Sequence, residues 1–450
     1  MEEEARNHST YLIRIGRERN SIHLRGAGWL NLGRAESVLS FPNAGAMESI
    51  NHATSLLQSI PLTLELIRAK ILKANYYSHN NQFELATSLC EEILNTNNPD
   101  PERAIDYRYF IDVTKYILAK IYALQANLAD ADQLFGQFYT KDTLTYSAFT
   151  DIEYRNWHLK ILFDTGQVKK ALESMKQVRS DAEALGNEPL LAQVYANLAG
   201  IYHQMGWNDR ALVLITQGIP YAEKYHIVHL LADFWITRGN IHLTWGDTVS
   251  AENFYQNALQ VAKTDSMPTT LNKAAVSVAL MEGRTGNIEK AVRMIKATMG
   301  VLQSTGNFHL LLQTQQQLID LRVSEETEND IRRIARDEIA FFLQETKQKG
   351  LALCAARAHL FLAHYDFRQG SHSNALREIH TAINLAQKFE LHIDELNAYR
   401  LLSQHAGLAA DDQTRVRSLL NHLEKFNQHE SIRASAHHYL AEITNNIFSK

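Results

Sequence analysis

The strongest constraint on this chain is a small residue that returns every forty positions. Alanine stands at Ala131, Ala171, Ala211, Ala251 and Ala291, and five residues ahead of these stand Ala126, Gly166, Gly206, Gly246 and Gly286. Apolar side chains recur every three or four positions on both sides of each pair. Around Gly206 they are Tyr195, Leu198, Ala199 and Tyr202 before it and Ala211, Ile215 and Gly218 after it. That spacing marks one face of a helix on each side. Asn208 and Asp209 supply the turn between, so the unit is an antiparallel hairpin of two helices. Four glycines kept in one phase point to a backbone conformation that side chains resist. One hairpin cannot bury its own apolar face, so copies must stack into an all-α solenoid.

The register can be followed along the chain. Residues 1–21 form a polar lead-in, and the repeats are expected over 22–430. A first helix runs from Ile22 to Val38 with Trp29 and Leu30 inward. Phe41, Pro42 and Asn43 break it, and Ala46, Ile50 and Ala53 mark its partner. The next hairpin carries Tyr77, a turn at Asn80 and Asn81, then Ala86, Cys90 and Ile93. Two irregular units are expected, near 95–111, where Asn95 to Pro101 interrupts the pattern, and near 310–350. In the second, helices are expected over 310–321 and 331–344, joined by the polar run 324–330. Ala335 falls forty-four residues after Ala291. The pattern resumes with Leu362, Ala363, Gly370, Ala375, Ile379 and Ala382, but Arg415 stands where alanine is expected. Residues 431–450 read as a capping helix, with Ala434, Ala436, Leu440, Ala441 and Ile443 on its packing side. About ten hairpins result.

Tyr195, Leu198, Ala199, Tyr202, Gly206, Ala211, Ile215 and Gly218 match the consensus places of the tetratricopeptide repeat. The chain resembles that family, in a long form whose period is forty instead of thirty-four, similar to repeats of the kinesin light chain and of the sensor region of maltose-regulon-type activators. The resemblance implies a right-handed superhelical solenoid whose concave face, lined by the first helix of each hairpin, binds an extended peptide or a partner helix. The family's contact places fall here on Asn156, Lys160, Gln193, His203, Asp233 and Asn240. Asn and Gln both donate to and accept from an extended backbone, and Lys160 suits an acidic group. The family's clamp for chaperone carboxy termini is missing: Ala196, Gly200 and Thr237 occupy its places, and Lys273 alone does not restore it.

Composition excludes more than it identifies. The chain is 45% hydrophobic and 21% charged, with a net charge of -5, so no basic surface for nucleic acid is expected. An acidic amino terminus and the lack of any long apolar run predict neither a signal peptide nor a membrane span. Cys90 and Cys354, both in apolar helical patterns, fit a reducing compartment, and a cytoplasmic location is expected. No phosphate loop, zinc helix, dinucleotide turn or nucleophile elbow occurs, so neither an enzyme nor a cofactor is expected. Of twenty histidines, His226, His229 and His242, with the pair His437 and His438, invite a metal reading. Adjacent helical residues diverge, however, and His242 takes a place that Tyr122 and Tyr202 hold elsewhere. It is expected to be a hydrogen-bonded core residue, and no metal site is expected. The expected function is a non-catalytic scaffold or regulatory adaptor for a protein or peptide. The alternatives are a solenoid that changes curvature on sensing a peptide or small-molecule effector, and a fixed subunit of an assembly.

Overall fold

The computed structural model describes residues 2–37, 44–137, 148–264, 268–323 and 336–448, and every regular element among them is a helix. The chain divides into two compact units. One comprises Met1–Gln125, Ala129–Tyr154 and Ser266–Thr269; the other comprises Ala126–Leu128, Arg155–Asp265 and Thr270–Lys450.

In the first unit the polar lead-in is itself a helix, Glu2–Glu18, lying against Ile22–Ala35. Glycine permits that approach: a Cβ at Gly28 would come within 2.8 Å of Ile13. The helix from Ile22 ends at Ala35, before the expected Val38, and Phe41, Pro42 and Asn43 lie outside the described residues. Leu30, Met47, Ile50, Ala53, Ala69 and Leu72 make a core between the first hairpins. The interruption after Leu94 holds a short 3-10 turn, Pro101–Arg103, capped by Asp100, and the helix Ala104–Leu124 follows.

The second unit shows the forty-residue register directly. First helices begin at Ala148, Glu188, Val228, Pro268 and Phe308, at equal spacing, then at Ala352 and His392 after a four-residue surplus. The first of these belongs to the first unit up to Tyr154. The surplus falls on 324–335, so the expected connection at 324–330 and Ala335 lie outside the described residues. The helix there runs Arg336–Gln348. Ala171, Ala211, Ala251 and Ala291 are all fully buried, where a larger side chain would push two helices apart.

The turns explain the spacing. Ala126, Gly166, Gly206, Gly246, Gly286 and Gly370 all have left-handed backbone, with φ from +57 to +101. A second series, unmarked by one residue type, alternates with them: Gly186, His226, Gly306, Gly350 and Glu390, with φ from +52 to +73. At Gly206 the N–H donates to the His203 carbonyl at 2.9 Å and the next N–H, of Trp207, to the Tyr202 carbonyl at 2.8 Å. The same pair recurs at Gly166, His226, Gly286, Gly370 and Glu390. This is the Schellman geometry, which satisfies the last carbonyls of a helix and reverses the chain.

The departure at Arg415 has a structural basis, and one expectation, the packing side of the last helix, is corrected. Arg415, at the alanine place, reaches Glu395 with two nitrogens at 2.7 and 2.8 Å, and Glu395 is fully buried. An ion pair therefore replaces close helix contact there. In the last helix, Arg433–Phe448, the packing stripe is Ala436, Leu440, Ile443 and Ile447, while Ala434 and Ala441 are exposed.

Gly246 and Gly300 separate backbone conformation from packing, since a Cβ at either would meet nothing within 4 Å. Gly246→Ala is expected to lower stability by about 1–2 kcal/mol, because φ is +80 there. Gly300→Ala, within the helix Ile288–Thr305, is expected to raise it by about 0.5–1 kcal/mol. Urea unfolding followed by circular dichroism reads both, and equal effects would contradict the turn assignment.

Candidate functional site

The first helices of the second unit turn one face toward a cavity of about 830 Å3. Its walls repeat with the register. Asn197, Thr237, Ser277 and Gln317 line it at intervals of forty, as do Gly200, Asn240, Leu280 and Asp320, and so, across the four-residue surplus, do Asp233, Lys273, Gln313, Arg357 and Asn397 at the preceding turn of each helix. A helix that recurs in register presents the same face each time, so stacking converts a sequence period into a lined surface.

Charge on this lining is largely paired. Lys273 Nζ contacts both oxygens of Asp233, at 2.9 and 3.1 Å, and Arg357 Nε donates to Asp394 at 2.8 Å. Arg284 lies 3.6 Å from Asp320, and Asp164 meets His309 Nε2 at 3.0 Å. Burial opposes the charge of Arg357, but the Asp394 carboxylate outweighs it and raises the guanidinium pKa. Burial also raises the Asp320 carboxyl, against the pull of Arg284. Lys160 and Arg400 have no ion-pair partner among the described residues, and burial lowers the Lys160 ammonium pKa. The amides of Asn197, Asn397 and Gln317 likewise make no side-chain hydrogen bond there.

Contacts between sequence-distant hairpins of the same unit close the cavity's surroundings. The turn after His203 is held by the segment that follows Leu423. Asp209 accepts the N–H groups of Gln428 at 2.8 Å and His429 at 2.7 Å, and its own N–H donates to the Phe426 carbonyl. Asn208 donates to Asn427 at 2.8 Å, and Trp207 stacks on Phe426 with centroids 5.7 Å apart. Trp207 Nε1 also donates to His422 Nε2 at 3.3 Å, and Trp245 meets Tyr439 edge-on. His203, on the cavity wall, bonds through Nδ1 to Asn208 at 3.0 Å. The wall is thus hydrogen-bonded to this contact of Trp207–Asp209 with Phe426–His429, which we call the latch.

Of the six candidate residues, Lys160, His203, Asp233 and Asn240 line the cavity together. Asn156 and Gln193 do not. Both are buried, and the Asn156 amide nitrogen and oxygen have no hydrogen-bond partner. Asn240 Oδ1 accepts from the Tyr255 hydroxyl at 2.6 Å, which fixes the amide's orientation. His242 is buried and bonded to Asp247 at 2.9 Å, and burial lowers its pKa, as expected for a core histidine. Trp235 and Phe254 stack on each other within the packing of their hairpin. Among the described residues, no group of three or more His, Cys, Asp or Glu is placed to hold a metal, and no helix is long and apolar enough to cross a membrane.

No family model matches the sequence, and a search of curated proteins finds no match. Solved structures do match. A Rap protein complexed with competence and sporulation factor is similar with a TM-score of 0.58 at 12% identity, over 82% of this chain and 98% of that one. The Rap conjugation gene regulator of the plasmid pLS20, in complex with the Phr* peptide, is similar with a TM-score of 0.50 at 9% identity, over 82% and 96% of the two chains. At this identity the likeness concerns the fold, which is that of tetratricopeptide-type helical repeats.

Two buried histidines of the second unit mark where acid should act. His392 packs on His422, with centroids 4.4 Å apart, and burial followed by the nearby His422 pushes its pKa down to about 4. Burial and then Arg368 push His364 down to about 4 as well. An unfolded histidine protonates near 6.5, so between these values the unfolded chain binds more protons. The contribution of both groups is complete above pH 6.5 and is lost as the pH falls toward 4. The melting midpoint is expected to drop across that interval, and His392→Phe to flatten the drop; a profile unchanged by the variant would contradict this.

Proposed function

We propose that the second unit is a non-catalytic regulatory module that encloses a short extended peptide in its cavity. The observation that carries this reading is the lining itself: polar side chains that return with the register along a cavity of about 830 Å3, among them the unpartnered amides of Asn197, Gln317 and Asn397. An extended backbone offers alternating N–H and C=O groups, and Asn and Gln meet both without demanding a sequence. Lys160, His203, Asp233 and Asn240 are assigned to that surface, together with Asn197 and Asn397. Asn156 and Gln193 are assigned support from behind it.

Two further facts favour the reading. The Rap proteins that share the fold were solved with a competence and sporulation factor and with a Phr* peptide. Groups that could serve chemistry are also poorly prepared for it: burial pushes the Cys354 thiol up to about 12, and the lining cations and carboxylates mostly hold one another. The long-period form of the repeat, and its likeness to the sensor regions of regulators, belong to the same proposal. The bond from His203 to Asn208 favours sensing over passive scaffolding, since an occupant touching His203 would bear on the latch.

The test is direct. The protein is incubated with the peptide-size fraction of host extract, washed, and its bound molecules are identified by mass spectrometry. Asn197→Ala with Asn397→Ala is expected to reduce capture at least about tenfold, the cost of two lost hydrogen bonds, at unchanged helicity. Equal capture by the double variant contradicts the cavity assignment. Recovery of a non-peptide compound alone would replace the peptide with a small-molecule effector.

A further inference from the structure

The charges lining the cavity do not balance, and the imbalance has a definite location. Each of its four carboxylates is engaged: Asp233 by Lys273, Asp394 by Arg357, Asp320 by Arg284 and Asp164 by His309. Two lining cations remain, Lys160 on the helix Ala148–Asp164 and Arg400 on the helix His392–His405. Leaving a cation unpaired in a partly closed cavity is costly, and a nearby carboxylate normally relieves it. Here a carboxylate sits within 4 Å of each of the other three lining cations, whereas Asp164 and Asp233 act on Lys160, and Asp320 on Arg400, only from beyond that distance.

Resting on the peptide reading, we infer that the occupant is an acidic peptide whose carboxylates are met by Lys160 and Arg400. The geometry suits this class. Arg400 presents a planar fork that takes a carboxylate through two parallel hydrogen bonds. Asn397 lies three residues before it on the same helix and also lines the cavity, so backbone and charge are recognised side by side. Lys160, whose ammonium form burial disfavours, has that form stabilised when an anion arrives. The paired aspartates act in the opposite sense: with their charge already committed, they offer a basic peptide little attraction.

Two pools of random heptapeptides test the inference. One contains Asp and Glu but neither Lys nor Arg; the other contains the reverse; and the acidic pool is made with both free and amidated carboxy termini. Each is passed over the full-length protein, and the retained peptides are identified and their affinities measured. Enrichment from the acidic pool is expected, weakening as salt rises. Lys160→Gln and Arg400→Gln are each expected to lower the affinity of an enriched peptide about tenfold while the melting midpoint holds. Retention of the amidated form assigns the contacts to acidic side chains, and its loss assigns one to the terminal carboxylate. Preference for the basic pool, or none between pools, overturns the charge assignment and leaves the peptide reading standing. Retention of nothing from either pool overturns both.

Discussion

In the second unit, a left-handed residue near every twentieth position among the described residues is the feature on which the rest of the structure depends. It ends one helix, satisfies that helix's last carbonyls and reverses the chain into the next. Because the reversals are evenly spaced, the helices between them have nearly equal length, and successive hairpins present the same faces. The fully buried alanines then fix how closely each pair approaches. Where the spacing changes, as in the four-residue surplus before Ala352, the register resumes afterwards with first helices again forty residues apart.

Repetition alone would produce an open array. Beside the cavity of the second unit stands a set of contacts made once, between hairpins far apart in sequence. Asp209, Asn208 and Trp207 stand on an ordinary hairpin turn, yet they bind the segment Phe426–His429 more than two hundred residues away. Arg415 and Glu395 hold the helices beside that contact through an ion pair whose carboxylate is buried and whose guanidinium is exposed. These polar groups are satisfied by partners distant in sequence, so the latch is specific in geometry and vulnerable to any change that charges its histidines or removes an acceptor.

The fold was legible in the sequence because its determinants are local. Gly166, Gly206, Gly246 and Gly286 announce their turns, since few other residues take that conformation comfortably. The intervening turns were harder to read because His226 and Glu390 hold the same conformation without glycine's signature. The candidate site was partly legible. Lys160, His203, Asp233 and Asn240 were reached from their places in the repeat, whereas Asn156 and Gln193, chosen by the same rule, are covered by packing that no local pattern records. Asn197, Asn397 and Arg400 were missed, although counting by forty from Thr237 reaches Asn197 and counting from Asp233 with the four-residue surplus added reaches Asn397. The latch left no such trace: nothing near Asp209 states that it will meet Gln428.

The central claim is that the second unit binds a peptide inside its cavity and nowhere on its outer helices. Site-specific photo-crosslinking tests this most directly, with a photoreactive residue placed either at Gln317, on the cavity wall, or at Val249, which is 72% exposed. After illumination with the peptide-size fraction of host extract, intact mass is measured. The account predicts a peptide-mass adduct at position 317 and none at 249. An adduct at 249 with none at 317 would contradict it.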